Sequence, residues 1–258
     1  MQKYKEFVNC ELRNMNLICI FASKSSKMSI QKTIGVLTAM SVEYRQVAAM
    51  MHDAETVQSG PQEFLIGTVG ESRVVLLQSG IGKTNAATGV TNLIMTFRPD
   101  FIISTGVAGG IDTRLDVMDV VIGKEVCYHD VFCGDDCDPG QVQGLPKLFK
   151  GDEGLVAVAT SLETNVHIVP GLICTGDQFV TNHDEMDVIK AKYPQGLAVD
   201  MESAAIAQVC HLWNIPFLSF RIISDTPGVK AHFNQYLNFW ETMADKSFAV
   251  TKEFLSRI

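Results

Sequence analysis

Acidic residues close three apolar runs in this sequence. Glu43 follows IGVLTAMSV, Asp200 and Glu202 follow GLAV, and Asp225 follows FRIIS. A fourth run, FIIS, leads into the glycine-rich TGVAGG, Thr105 to Gly110, whose backbone a ligand can approach closely. In open α/β sheets, small molecules bind beyond the carboxyl ends of the strands. Carboxylates gathered there would serve as general acid, general base or acceptor of ligand hydroxyls. Each also has a purely structural reading. Asp at a strand-to-helix junction is a favoured N-cap, and Glu43 suits a first helical turn, where the dipole favours negative charge. The pair in LAVDMESAAIAQVC is the sharpest case, because no Lys or Arg lies within that stretch. A buried carboxylate without a partner is destabilising or takes up a proton.

Other chemistries find less support. SGIGKT, Ser79 to Thr84, ends like a phosphate-binding loop, but Leu77 stands where its first glycine belongs. Asn85 likewise replaces the last glycine of a dinucleotide fingerprint. Cys133 and Cys137, in CGDDCD, resemble half a metal site, yet no second Cys or His pair follows at zinc spacing. An acidic surface loop is the expectation there. The histidines form no close pair, and no G-x-S-x-G elbow occurs. The residues point to a small-molecule enzyme that works with carboxylates, without metal or phosphate anchoring. They do not identify its substrate.

The elements that must position these groups alternate along the chain. TIGVLTA from Thr33 reads as a strand and SVEYRQVAAMM as a helix. EFLIGTVG and SRVVLLQSG are strands, and KTNAATGVTNLIMTF is a helix stopped by RPD. FIISTGVAGG is predicted to be a strand that runs into a glycine turn, and DVVIGKEVCYHD is another strand. GLVAVATSLE reads as helix, VHIVPGLICTG and GLAVD as strands, MESAAIAQVCHLW as helix and PFLSFRIISD as strand. One final helix is expected near NQYLNFWETMADKSFAVTKEFLSRI. Near-continuous apolar strands alternating with helices predict a three-layer α/β/α fold with a central mixed, mostly parallel twisted sheet. It would form a single domain over residues 33–258.

The bulk composition fits that picture. Of 258 residues, 47% are hydrophobic and 19% charged, enough for one large core. A formal charge of −8, with no basic run, argues against nucleic-acid partners. No apolar run reaches the roughly 18 residues needed to cross a bilayer, so no membrane partner is expected. Seven scattered cysteines suit reduced thiols in a cytoplasm better than a disulfide framework. Residues 1–32 read as a disordered extension or an over-long start, with Met28 as an alternative initiator. Their MNLICIFASKSSK resembles a signal peptide only faintly.

The segments IGVLTAMSVE, LLQSGIGKTNAA, ISTGVAGG, YHD, TGDQFV, AVDMESAAIAQVC and FRIISD occur in the order expected of the nucleoside phosphorylase superfamily. From Ile34 to Ile258 the chain most resembles the 5′-methylthioadenosine/S-adenosylhomocysteine nucleosidases. The resemblance implies a nucleoside phosphorylase-like fold, a homodimer, no cofactor, and hydrolysis of the bond between adenine and ribose in thioether nucleosides. It also implies roles. Glu43 would activate the attacking water, and Asp225, positioned by Ser224, would protonate adenine N7. Glu202 would hold the ribose hydroxyls, with the Met201 backbone beside it and Gly109 at the sugar. Phe179 would stack on adenine while the Val180 backbone reads the base edge. Arg221 would help place the water or Glu43, and Met40 and Ile81 would line the sugar and alkylthio region. Asp200 is expected to cap or support rather than react.

Alternatives remain on the same scaffold. A purine nucleoside phosphorylase would use phosphate as nucleophile. Members of that kind place an Arg before the glycine turn and another near the first strand, where this chain has Thr105 and Glu43. A carboxylate there repels a dianion. A nucleosidase for another adenine nucleoside, such as 6-amino-6-deoxyfutalosine, is a second alternative. A non-catalytic nucleoside-binding protein is a third, opposed by the presence of Glu43, Glu202 and Asp225. The chain also departs from the pattern. Val107 stands where close relatives often have serine, and the loop Val131–Gly144 carries Phe132 as its only aromatic residue. TPGVKAHFNQYLNFW is unlike the common lid, although Phe233 and Tyr236 would supply cover and Gly228, beside Pro227, a hinge.

Overall fold

The computed structural model describes residues 31–226, 232–242 and 244–258. The extension expected over residues 1–32 therefore lies almost wholly outside the described residues, as do Pro227, Gly228 and the side chain of Phe233. Lys32–Ile258 forms one compact unit. In order, it contains β1 (Thr33–Thr38), α1 (Ser41–Ala48), β2 (His52–Ser59), β3 (Gln62–Val69), β4 (Ser72–Gln78) and α2 (Lys83–Phe97). Next come β5 (Phe101–Gly110), β6 (Val120–Tyr128), β7 (Phe149–Lys150), α3 (Glu153–Thr160) and β8 (Ile168–Thr175). The chain continues through α4 (His183–Lys192), β9 (Gly196–Asp200), α5 (Ser203–Trp213), β10 (Phe217–Asp225), α6 (His232–Thr242) and α7 (Ala244–Leu255).

The strands form one mixed sheet in the order β10-β6-β8-β9-β5-β1-β4-β3-β2, with β7 attached to β6. Because β10 also pairs with β5, five strands close into a ring from which β1, β4, β3 and β2 extend. Parallel pairings join β4, β1, β5 and β10, and also β6, β8 and β9. Alternation along each strand feeds two apolar layers. Leu37, Ile102 and Ile223 face α2 and α5, whereas Val36, Ile103 and Ile222 face α1, α3, α6 and α7. β10 is buried along its whole length, which explains its uninterrupted apolar run.

Several elements differ from expectation. FIISTGVAGG is strand throughout, because Gly106 to Ala108 stay in register with β10, Gly109 pairs with Asp225 after a bulge in β10, and Gly109 and Gly110 also pair with β9. The single terminal helix is two, α6 and α7. The unexpected β2 is a polar, exposed edge strand that, among the described residues, pairs only with β3, so it lacks the apolar alternation that marks strands. The unexpected α4 is nearly as polar and buries only Ile189; Asn182 caps it, accepting the Glu185 N–H at 3.0 Å.

Candidate active site

β1, β5 and β10 run parallel, so their carboxyl ends lie together. β9 does not share that direction. It meets β5 antiparallel, overlapping only Gly109 and Gly110, and so brings Asp200 to the same place from the opposite side. Between these ends lies a cavity of about 370 Å³. Met40, Glu43, Ile81, Gly109, Phe179 and Val180 line it, as do Met201, Glu202, Ser224 and Asp225. Arg221, the remaining expected residue, is not on the wall but buried beside it, 1% exposed.

Glu43 sits in the first turn of α1 and folds back over its own helix start. Its Oε2 accepts the Ala39 and Met40 N–H groups at 2.9 Å each, and its Oε1 accepts the Val107 N–H at 3.0 Å. The carboxylate rests on Gly106, where a Cβ would stand 2.5 Å from Glu43 Oε1 and 2.6 Å from Arg221 Nη1. Only glycine permits that approach. Burial raises the Glu43 carboxyl above its ordinary range, against the opposing pull of Arg221 and the three N–H donors.

Asp200 and Glu202 separate cleanly. Arg221 Nε donates to Asp200 Oδ2 at 2.8 Å, Thr175 Oγ1 donates to Oδ1 at 2.6 Å, and the Ser203 N–H lies 3.2 Å from Oδ2. The Ser203 hydroxyl also contacts Asp200 Oδ2, and Arg221 Nη2 donates to Ser104 Oγ at 2.8 Å. Asp200 therefore both caps α5 and holds the guanidinium, although it borders the cavity. Glu202 Oε1 accepts the Gly82 N–H at 3.0 Å, and Oε2 stands 3.7 Å from Arg221 Nη2. Burial pushes its carboxyl up to about 7, with Arg221 opposing. The charge missing from LAVDMESAAIAQVC comes from β10. Arg221 serves three buried carboxylates at once.

Asp225 is 2% exposed, and its Oδ1 accepts the Ser224 hydroxyl at 2.7 Å. Opposite stands an aromatic wall. Phe179 meets Tyr236 edge-on at 5.9 Å, and the Tyr236 hydroxyl lies 3.4 Å from Met40 Sδ. Val107 lines the cavity too, with no polar side-chain atom. Gln178, Ala39, Ala108 and Val199 are lining residues that sequence reasoning did not single out. Gln178 lay within its reach, between Asp177 and Phe179 in TGDQFV. Among the described residues, no group of three or more His, Cys, Asp or Glu is placed to hold a metal ion. The arrangement can bind a flat apolar group against an aromatic face while presenting carboxyl groups to its polar attachments.

Comparison with known proteins identifies the class. The family model of the phosphorylase superfamily matches residues 33–256. A 5′-methylthioadenosine/S-adenosylhomocysteine nucleosidase of Bacillus cereus (strain B4264) is 42% identical over 211 residues, covering 80% of this chain and 91% of that protein. The crystal structure of such a nucleosidase from Colwellia psychrerythraea 34H, in complex with adenine, has a TM-score of 0.83 at 35% identity, covering 88% of this chain and 96% of that one. One from Neisseria meningitidis, in complex with methylthio-immucillin-A, has the same TM-score and identity, covering 88% of this chain and 100% of that one. The chain belongs to the phosphorylase superfamily and, within it, to the 5′-methylthioadenosine/S-adenosylhomocysteine nucleosidase family.

Proposed function

We propose that this protein hydrolyses the N-glycosidic bond of 5′-methylthioadenosine and S-adenosylhomocysteine, releasing adenine and the thioribose product. The observation that carries this reading is the convergence of three buried carboxyl groups, Glu43, Glu202 and Asp225, on one cavity with an aromatic wall. Cleaving the bond builds positive charge on the sugar and negative charge on the departing base. Glu202 accepts the ribose hydroxyls, beside Met201 and Gly109, and its charge favours the cationic sugar. Asp225, steadied by Ser224, delivers a proton to adenine N7, while Phe179 stacks on the base and the Val180 backbone reads its edge. Glu43 takes the proton of the attacking water. Burial raises its carboxyl while the nearby Arg221 charge favours the ionised form, and the Ala39, Met40 and Val107 N–H groups hold it in place. Met40 and Ile81 cover the sugar and alkylthio region.

Phosphate as nucleophile is disfavoured, because the cavity is lined by carboxylates and carries no Arg or Lys among its described lining residues. The proposal includes a homodimer, for which the exposed Met95, Phe132, Leu212 and Trp213 supply apolar surface. It places the enzyme in the cytoplasm, in methionine salvage and clearance of the activated-methyl cycle. Methylthioadenosine, S-adenosylhomocysteine, 5′-deoxyadenosine, inosine and aminofutalosine, each assayed for base release, test the substrate. The two thioether nucleosides should have the highest kcat/KM. Preference for aminofutalosine or inosine would reassign it.

A further inference from the structure

The start of α2 lacks a local cap. Its N-cap is Gly82, at φ +96°, with no side chain to accept the first free N–H groups of the helix. The missing acceptor comes from a distant loop: Asp177 Oδ1 accepts the Lys83 N–H at 2.8 Å. Gly82 accommodates this, since a Cβ there would stand 3.1 Å from the same oxygen. Asp177 is itself held from behind. Its N–H donates to Asp130 Oδ2 at 2.9 Å, and Lys83 Nζ donates to that oxygen at 2.6 Å. The Gly82 N–H, one residue before the capped Lys83, donates to Glu202. Gln178, Phe179 and Val180, which follow Asp177, form the cavity wall. One side chain thus ties the donor on Glu202 to the aromatic wall.

We propose that Asp177 is a positioning residue, which, with Asp130 and Lys83, fixes the Gly82 N–H on Glu202 and the Gln178–Val180 wall in mutual register. The inference rests on the nucleosidase reading for its consequence in turnover, but its geometry does not depend on the substrate. Without the cap, the start of α2 keeps its link to the wall through the long Lys83 side chain on Asp130, and this looser tie lets the Gly82 N–H move off Glu202. The charged groups that face Glu202 are Arg221 from β10, Asp200 from β9 and Glu43 from α1. With these unchanged, losing the Gly82 donor moves the Glu202 midpoint upward from about 7. Simple loss of the Asp177 charge acts in the opposite direction, because removing a nearby negative charge lowers the midpoint. The sign separates positioning from long-range electrostatics.

The test follows Glu202 by 13C NMR of its side-chain carboxyl in the unliganded protein, assigned with Glu202→Gln. Wild type is compared with Asp177→Ala, Asp177→Asn and Lys83→Met. Asp177 is half exposed, so folding is expected to survive, and thermal unfolding checks it. Asp177→Ala should raise the midpoint by roughly one pH unit, the scale of a lost hydrogen bond to a charged group. Asp177→Asn keeps an acceptor for the Lys83 N–H and should not raise it, and Lys83→Met should raise it less than Asp177→Ala. KM for methylthioadenosine should rise about tenfold in Asp177→Ala, with kcat changing less. A Glu202 midpoint that stays put or falls in folded Asp177→Ala overturns the proposal, as does an equal rise in Asp177→Asn. The titration needs no turnover, so a wild type inactive on methylthioadenosine would refute the substrate reading and leave this result standing.

Discussion

Glu202→Gln should make the unliganded protein more stable above neutral pH while removing the carboxylate proposed to accept the ribose hydroxyls. The carboxyl is 6% exposed, and burial lifts it from 4.5 to about 7. Between those values the folded protein keeps a proton that the unfolded chain has released, so this group makes stability fall as pH rises. Fully ionised, Glu202 therefore lowers stability by roughly 3 kcal/mol relative to its neutral form. Glutamine is neutral at every pH, and its carbonyl can still accept the Gly82 N–H. Urea unfolding should show the variant more stable by up to about 3 kcal/mol near pH 8, at unchanged m, with the gap shrinking to roughly nothing near pH 4. Activity should fall sharply in the same protein, a site that opposes stability for the sake of function. Equal stability near pH 8 would refute the reasoning. So would a gain that persists undiminished near pH 4, because it could not come from an ionisation.

Three further substitutions probe the rest of the site. Asp225→Asn should lower kcat by about a hundredfold or more while leaving the melting temperature close to wild type, since only proton delivery is lost. Near-normal turnover would remove Asp225 from the mechanism. Arg221→Met leaves Asp200, Glu202 and Glu43 without their shared cation, and should cost about 3–5 kcal/mol in denaturant unfolding; a loss below about 1 kcal/mol would mean the buried network is not held by Arg221. Gly106→Ala places a methyl group against Glu43 and Arg221, and should reduce kcat/KM by about a hundredfold through displacement of the base. Unchanged kinetics there would show that the carboxylate is not pinned on the glycine strand.

The carboxyl ends of β1, β5 and β10 were legible in the sequence because each closes a β-branched apolar run, and that pattern alone put Glu43 and Asp225 at one place. Glu202 was legible as an acidic residue in an apolar setting, but its partner was not. Arg221 lies 19 residues further on, inside a strand that reads as continuous core, and only the register of β10 beside β5 turns it toward Asp200 and Glu202. The role of TGVAGG was half visible. Close approach of a ligand was anticipated, but at Gly106 the approaching groups are the protein's own Glu43 and Arg221 side chains. The polar edge strand β2 and helix α4 escaped because neither buries enough apolar surface to leave a periodic signature. Asp177 escaped for another reason: a cap that acts across 94 residues leaves no trace in local spacing.

The central claim is that water, activated at Glu43, cleaves the glycosidic bond. Purified protein incubated with methylthioadenosine in phosphate-free buffer should release adenine and free methylthioribose in equal amounts. Adding phosphate should leave the rate unchanged and yield no sugar phosphate by 31P NMR. Adenine release that depends on phosphate, with methylthioribose 1-phosphate as the product, would contradict it.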